Sequence, residues 1–136
     1  MSAKLTPRMK AWLESMGAHV ATATAGGWPT VTVVATAGVE GATVTFPLSK
    51  AQAAQIEGNL AENRQVAIAP GQLGSVRAPY QFKGAGVLRD GNLVVEVDEI
   101  YCTRPGPESA QRMDTFGYEE MARWEEERWR DLPPTG

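Results

Sequence analysis

Asp90-Gly91 stands between two apolar-rich segments, YQFKGAGVLR before it and NLVVEVDEIY after it, and this arrangement dictates an antiparallel hairpin. A two-residue type I′ turn needs positive φ at both central positions, and Asp followed by Gly is among the few pairs that accept this. Around that hairpin the chain offers more of the same material. The segments AHVATATA, PTVTVVATA and ATVTF, rich in Val and Thr, are separated by Gly26-Gly27 and by the glycines at 38 and 41, which reads as a meander. In the second of them Val31 and Val33 alternate with Thr30 and Thr32, so one face meets a core and the other meets solvent or a ligand. With RQVAIA added, six short antiparallel strands are expected, and such a set closes most simply into a small barrel.

Three helices flank these strands. In TPRMKAWLESMG, Thr6 suits the N-cap, Pro7 the first turn and Gly17 the left-handed exit, with Met9, Trp12, Leu13 and Met16 as the buried stripe. In SKAQAAQIEGNLAEN, Ser49 and Gln52 have the spacing of a capping box, and Ala53, Ile56 and Leu60 recur at helical period. Pro70 to Pro79 and the sequence RPGP are expected to be loops, and 108–130 a helix with Met121 and Trp124 facing inward. Trp129 would pack on the barrel or on a partner subunit.

A length of 136 residues predicts a single domain. The net charge of −3 and a pI near 5.2 give no attraction for nucleic acid or anionic membranes. No signal-like or membrane-spanning apolar run occurs, so a cytoplasmic location is expected. Cys102 and His19 are the single cysteine and the single histidine, which excludes an internal disulfide, a multi-cysteine metal site and a two-histidine metal site. Chemistry in such a chain is expected to belong to a bound cofactor, and no residue is legible as a catalytic acid or base.

The element order and the phrases VATATAGGWPTVTVV, VTFPLSKAQAAQIEGNLAENRQVAI and YQFKGAGVLRDG resemble the pyridoxamine-phosphate-oxidase-like FMN-binding split barrels, over roughly residues 5 to 102. Asn59-Leu60, Asn63 and the strand from Val66 are similar to that family's asparagine-leucine pattern, and Gln81 to Gly84 to its glutamine-x-x-glycine strand. The resemblance implies a mainly β (α+β) six-stranded antiparallel split β-barrel. It also implies a homodimer with FMN at the subunit interface, and a flavin-dependent oxidoreductase taking electrons from a nicotinamide or another small donor. Haem or the deazaflavin F420 replaces FMN in some members, and others have no established reaction.

Carried onto this chain, the resemblance places the phosphate at Ser49, Lys50, Gln52 and Gln55, beside Thr32 and Val33 of the second strand. It lays the ring along Phe46, Pro47 and Leu48, which would serve equally well as core filling, while Gln81 and Lys83 either point together into the interface cleft or form the wet face of an edge hairpin. Ser49 serves as helix cap and phosphate contact through the same geometry. Lys50 opposes the helix dipole unless an anion sits there. Where typical members carry several cations this helix start carries one, so weaker FMN retention is expected. Lys83 is expected in solvent, Cys102 as a structural residue, and His19 as a partly buried histidine with a proton donor or haem ligand as its chemical alternatives. Beside the flavoprotein reading stand two others: a non-enzymatic module for a planar cofactor, and a cofactor-free dimeric barrel that serves as an interaction protein.

Overall fold

The computed structural model describes residues 3–71, 79–104 and 106–129, with side chains described as far as Glu127. It contains α1 (Pro7–Met16), β1 (Ala18–Ala23), β2 (Pro29–Val34), β3 (Gly38–Glu40), β4 (Thr43–Pro47), α2 (Lys50–Glu62), β5 (Gln65–Pro70), β6 (Tyr80–Arg89), β7 (Asn92–Cys102) and α3 (Tyr118–Trp129). The strands form one curled antiparallel sheet of half-barrel shape in the order β2-β1-β5-β6-β7-β4-β3. β6 and β7 are the backbone of this sheet, paired from Arg89 opposite Asn92 to Tyr80 opposite Cys102. Their turn has Asp90 at φ 53 and Gly91 at φ 78, the conformation that the Asp-Gly pair predicts.

The ladder slips once. Lys83 pairs with Glu99 but Gly84 pairs with Val97, which leaves Asp98 as the extra residue of a bulge. Position 84 must be glycine here, because a Cβ would stand 1.9 Å from the Glu96 carbonyl oxygen.

Both helix starts form where the local chemistry places them. Thr6 Oγ1 accepts from the Met9 N–H at 3.2 Å while the Thr6 N–H reaches the Met9 sulfur, and α1 then buries Met9, Trp12, Leu13 and Met16. Ser49 and Gln52 close a reciprocal capping box on α2, which buries Ile56, Asn59 and Leu60. The core joins these stripes to Val20, Phe46, Ile68, Tyr80, Phe82, Leu93, Val95, Val97 and Ile100. Trp12 and Tyr80 lie with ring centroids 5.4 Å apart at its centre.

Two expectations need correction. The sheet has seven strands rather than six, because Gly38–Glu40, in the stretch that separates PTVTVVATA from ATVTF, itself pairs with β4. Three residues are too few to show a period, and β3 buries only Val39. The last helix begins at Tyr118 and not near 108. Instead, the chain turns with Ala110 at φ 71 and runs back along β7, with a bridge between Tyr101 and Arg112 and the Met113 N–H donating to the Ile100 carbonyl at 2.7 Å. The interior of the loop expected over 70–79, Pro105 of the RPGP turn, the Trp129 side chain and the tail beyond it lie outside the described residues.

Candidate functional site

The start of α2 is fastened to the edge of the sheet. The Ser49 N–H donates to Gln52 Oε1 at 3.0 Å, the Gln52 N–H donates to Ser49 Oγ at 3.1 Å, and Gln52 Nε2 donates to the Val33 carbonyl of β2 at 2.9 Å. One glutamine side chain thus caps the helix and satisfies an edge-strand carbonyl. Ser49, Lys50, Gln52 and Val33 therefore lie together, with Gln55 exposed one turn further along the helix. The capping box already engages the Ser49 oxygen and the Gln52 amide. For an anion there remain the Ser49 O–H proton, the first-turn N–H groups that every α-helix leaves over, and the exposed Lys50 ammonium. This set fits a phosphate, with one cation in it.

The remaining candidates are distributed differently. Phe46 is fully buried in the core, so a ring along this strand end meets the exposed Pro47 and the half-buried Leu48 instead. In β2 the threonine face turns inward: Thr32 is buried opposite Val20, and its hydroxyl is the one buried side-chain polar atom without a hydrogen-bond partner among the described residues. Val31 and Val33 face outward, 59% and 49% exposed. Gln81 is half-buried on the outward face of β6. It shares a crosswise row with Val33 and His19 but stands three strands from Val33, about 14 Å at ordinary strand spacing.

On that same outward face, toward the other end of α2, lies a cleft of about 390 Å³ that sequence reading did not single out. Ala21, Ala67 and Ala85 line it together with Pro29, Gln65 and the charged Lys83, Asp98 and Glu99. Lys83 Nζ sits 4.9 Å from the centre of the Tyr101 ring, and the Tyr101 hydroxyl donates to Glu99 Oε1 at 2.6 Å. That hydrogen bond, with burial and the Glu99 charge, pushes the Tyr101 phenol up. Lys83 is exposed, as expected, but it leans on an aromatic face. A second hollow, beside β3, presents Glu14 and Glu40 and no cation, which is unsuited to a phosphate.

His19 is half-buried on β1 with Nδ1 3.0 Å from the Gly71 carbonyl oxygen. A carbonyl only accepts, so in the neutral ring Nδ1 carries the proton and Nε2 has the free lone pair. Cys102 is fully buried and burial pushes its thiol up, which agrees with a structural role.

With this geometry in place, comparison with known proteins is informative at one level. No family model matches the sequence, and no curated protein matches it. Among solved structures, HupZ of Group A Streptococcus superposes with a TM-score of 0.60 at 17% identity, covering 77% of this chain and 98% of that one. A single-residue variant of HupZ gives 0.53 at 16% identity, covering 71% of this chain and 97% of that one. The fold is that of a split barrel. Identities this low establish shape alone, and the chemistry has to come from the residues.

Glu125 is the buried group that sequence reading missed, because EEMARWEEERWRD looks like a solvated helix face. Its carboxylate is turned inside, accepting from the Tyr80 hydroxyl and, at 2.9 Å, from Thr6 Oγ1. Burial pushes the Glu125 carboxyl up, and burial together with the neighbouring carboxylate pushes the Tyr80 phenol far up. The signal lay in helical spacing, since Glu125 follows the inward Met121 by one turn.

Proposed function

We propose that this chain is an FMN-binding split barrel, active as a homodimer in flavin-dependent oxidation and reduction of a small molecule. The observation that carries the reading is the junction of α2 with β2. There a capped helix start, suited to a phosphate, is bonded directly to a strand whose Val33 and Val31 turn apolar surface outward. Ser49, Lys50 and the first-turn N–H groups would hold the phosphate. Pro47, Leu48 and Val33 would line the ring, and Gln81 would come to it only from across the sheet or from a second subunit.

FMN would supply the hydride and electron chemistry, while this chain's residues would bind, orient and shield it. The test is titration of the purified protein with FMN. Quenching of flavin fluorescence that saturates at one FMN per chain supports the reading, and unquenched flavin throughout overturns it.

One observation favours a second reading, a module for a different planar cofactor such as haem or F420. The Nδ1 contact of His19 leaves Nε2 as the lone-pair nitrogen, the arrangement in which a histidine ligates iron, and His19 lies on the outward face beside Val33. A Soret band on haem addition that His19→Ala abolishes would select haem over FMN.

A further inference from the structure

Neighbouring residues of a regular β-strand point to opposite faces, yet Asp98 and Glu99 both line the cleft on the outward face of the sheet. The bulge between β6 and β7 permits this, with Asp98 as its extra residue and Gly84 allowing the close backbone approach that goes with it. Lys83 stands opposite Glu99 in the ladder, but no ion pair joins the two. The Lys83 ammonium instead lies 4.9 Å from the centre of the Tyr101 ring, while the Tyr101 hydroxyl donates to Glu99 Oε1 at 2.6 Å. One tyrosine thus holds the cation on its ring and the anion on its hydroxyl, apart from each other. Lys83 forms no ion pair among the described residues, so its N–H donors are open to a ligand. Across the strands the character changes. Ala67 is the partner of Lys83 on β5 and Ala21 the partner of Ala67 on β1, so one crosswise row runs from two separated charges to methyl groups. At ordinary strand spacing Ala21 stands about 10 Å from Lys83.

We propose that this cleft binds a small zwitterion, an α-amino acid with a large apolar side chain. The carboxylate of the ligand meets Lys83, its ammonium meets Glu99 and Asp98, and its side chain lies across Ala67 and Ala21 toward Pro29. Other ligand classes fit less well. A phosphate or dicarboxylate faces two carboxylates, a simple cation faces Lys83, and an uncharged apolar molecule desolvates Lys83 without pairing it. Only a ligand that carries both charges at one end and hydrocarbon at the other matches the whole row. A volume of about 390 Å³ is at the small end of the range for such sites. The proposal goes beyond the flavin reading and needs no FMN. The phosphate grip at Ser49 and Lys50 belongs to the start of α2, whereas this cleft is lined by Asn63, the residue that closes the helix.

Isothermal titration calorimetry of the full chain with L-phenylalanine tests the proposal, with melting curves confirming that each variant folds. Saturable binding of one L-phenylalanine per chain is expected. Phenethylamine, which lacks the carboxylate, and hydrocinnamate, which lacks the ammonium, should each bind at least tenfold more weakly, through loss of a charge-assisted contact. Lys83→Met keeps the apolar stem and removes the charge, and it should weaken L-phenylalanine at least tenfold without weakening phenethylamine. Ala67→Leu should abolish binding by filling the space over the sheet. A wild type that does not bind L-phenylalanine overturns the proposal, as does equal affinity for the three compounds or an affinity unchanged by Lys83→Met. Should Ala67→Leu fail to fold, the comparison of the three compounds on the wild type decides the matter.

Discussion

Glu125 shows how much one side chain can decide. Its carboxylate ties α3 to the cap of α1 and to β6, through Thr6 and Tyr80. Burial raises its folded pKa above the unfolded value, so the folded state binds the proton more tightly over the window between the two. Stability from this group is therefore full below the unfolded pKa and is lost as pH rises through the folded one. Thermal melts should show Glu125→Gln flattening that pH dependence while folding normally near neutrality. Glu125→Ala should cost about 1–3 kcal/mol because it strands two buried hydroxyls. A pH slope unchanged in Glu125→Gln would assign the dependence to another group. At the proposed phosphate site, Lys50→Ala should weaken FMN binding by about 1–2 kcal/mol, roughly tenfold, without lowering the melting temperature. Equal affinity in a fluorescence titration would move the phosphate elsewhere.

At the scale of elements, what was legible in the sequence was what short-range chemistry decides. Thr6 with Pro7, Ser49 with Gln52, and Asp90 with Gly91 each fix a cap or turn within four residues, and each is found as expected. What depends on distant partners was not legible. β3 exists because β4 pairs with it, and the inward turn of the Thr32 face follows from where β1 and α2 sit rather than from hydrophobicity. Read from pattern alone, Val31 and Val33 look like the core side; in the fold they are its outer surface. The same distinction governs the site. Ser49 and Gln52 were readable, but the bond from Gln52 to Val33 joins residues 19 apart in the chain, and the alanine-lined cleft gathers five strands. Two measurements probe the junction. Ser49→Ala should lower stability by about 1 kcal/mol through loss of the cap, measured by urea unfolding. Gln52→Ala should cost more than Ser49→Ala, because it also removes the hydrogen bond to the Val33 carbonyl. Equal costs would mean that the strand bond contributes nothing.

For the whole molecule, fold and function rest on different footings. Seven antiparallel strands wrapped on one core, with α1 packed against it and α2 fastened to the sheet edge, make a split barrel, and HupZ shares that shape across nearly its whole length. A shared shape at 17% identity leaves the ligand to be argued from side chains. The side chains here offer a phosphate-competent helix start and an outward apolar strip beside it. The most direct test is the absorbance spectrum of protein purified without added cofactor, with mass analysis of whatever heating releases. The account predicts the bands of an oxidised flavin and a released mass equal to that of FMN. A colourless protein that stays colourless after incubation with FMN and desalting would contradict it.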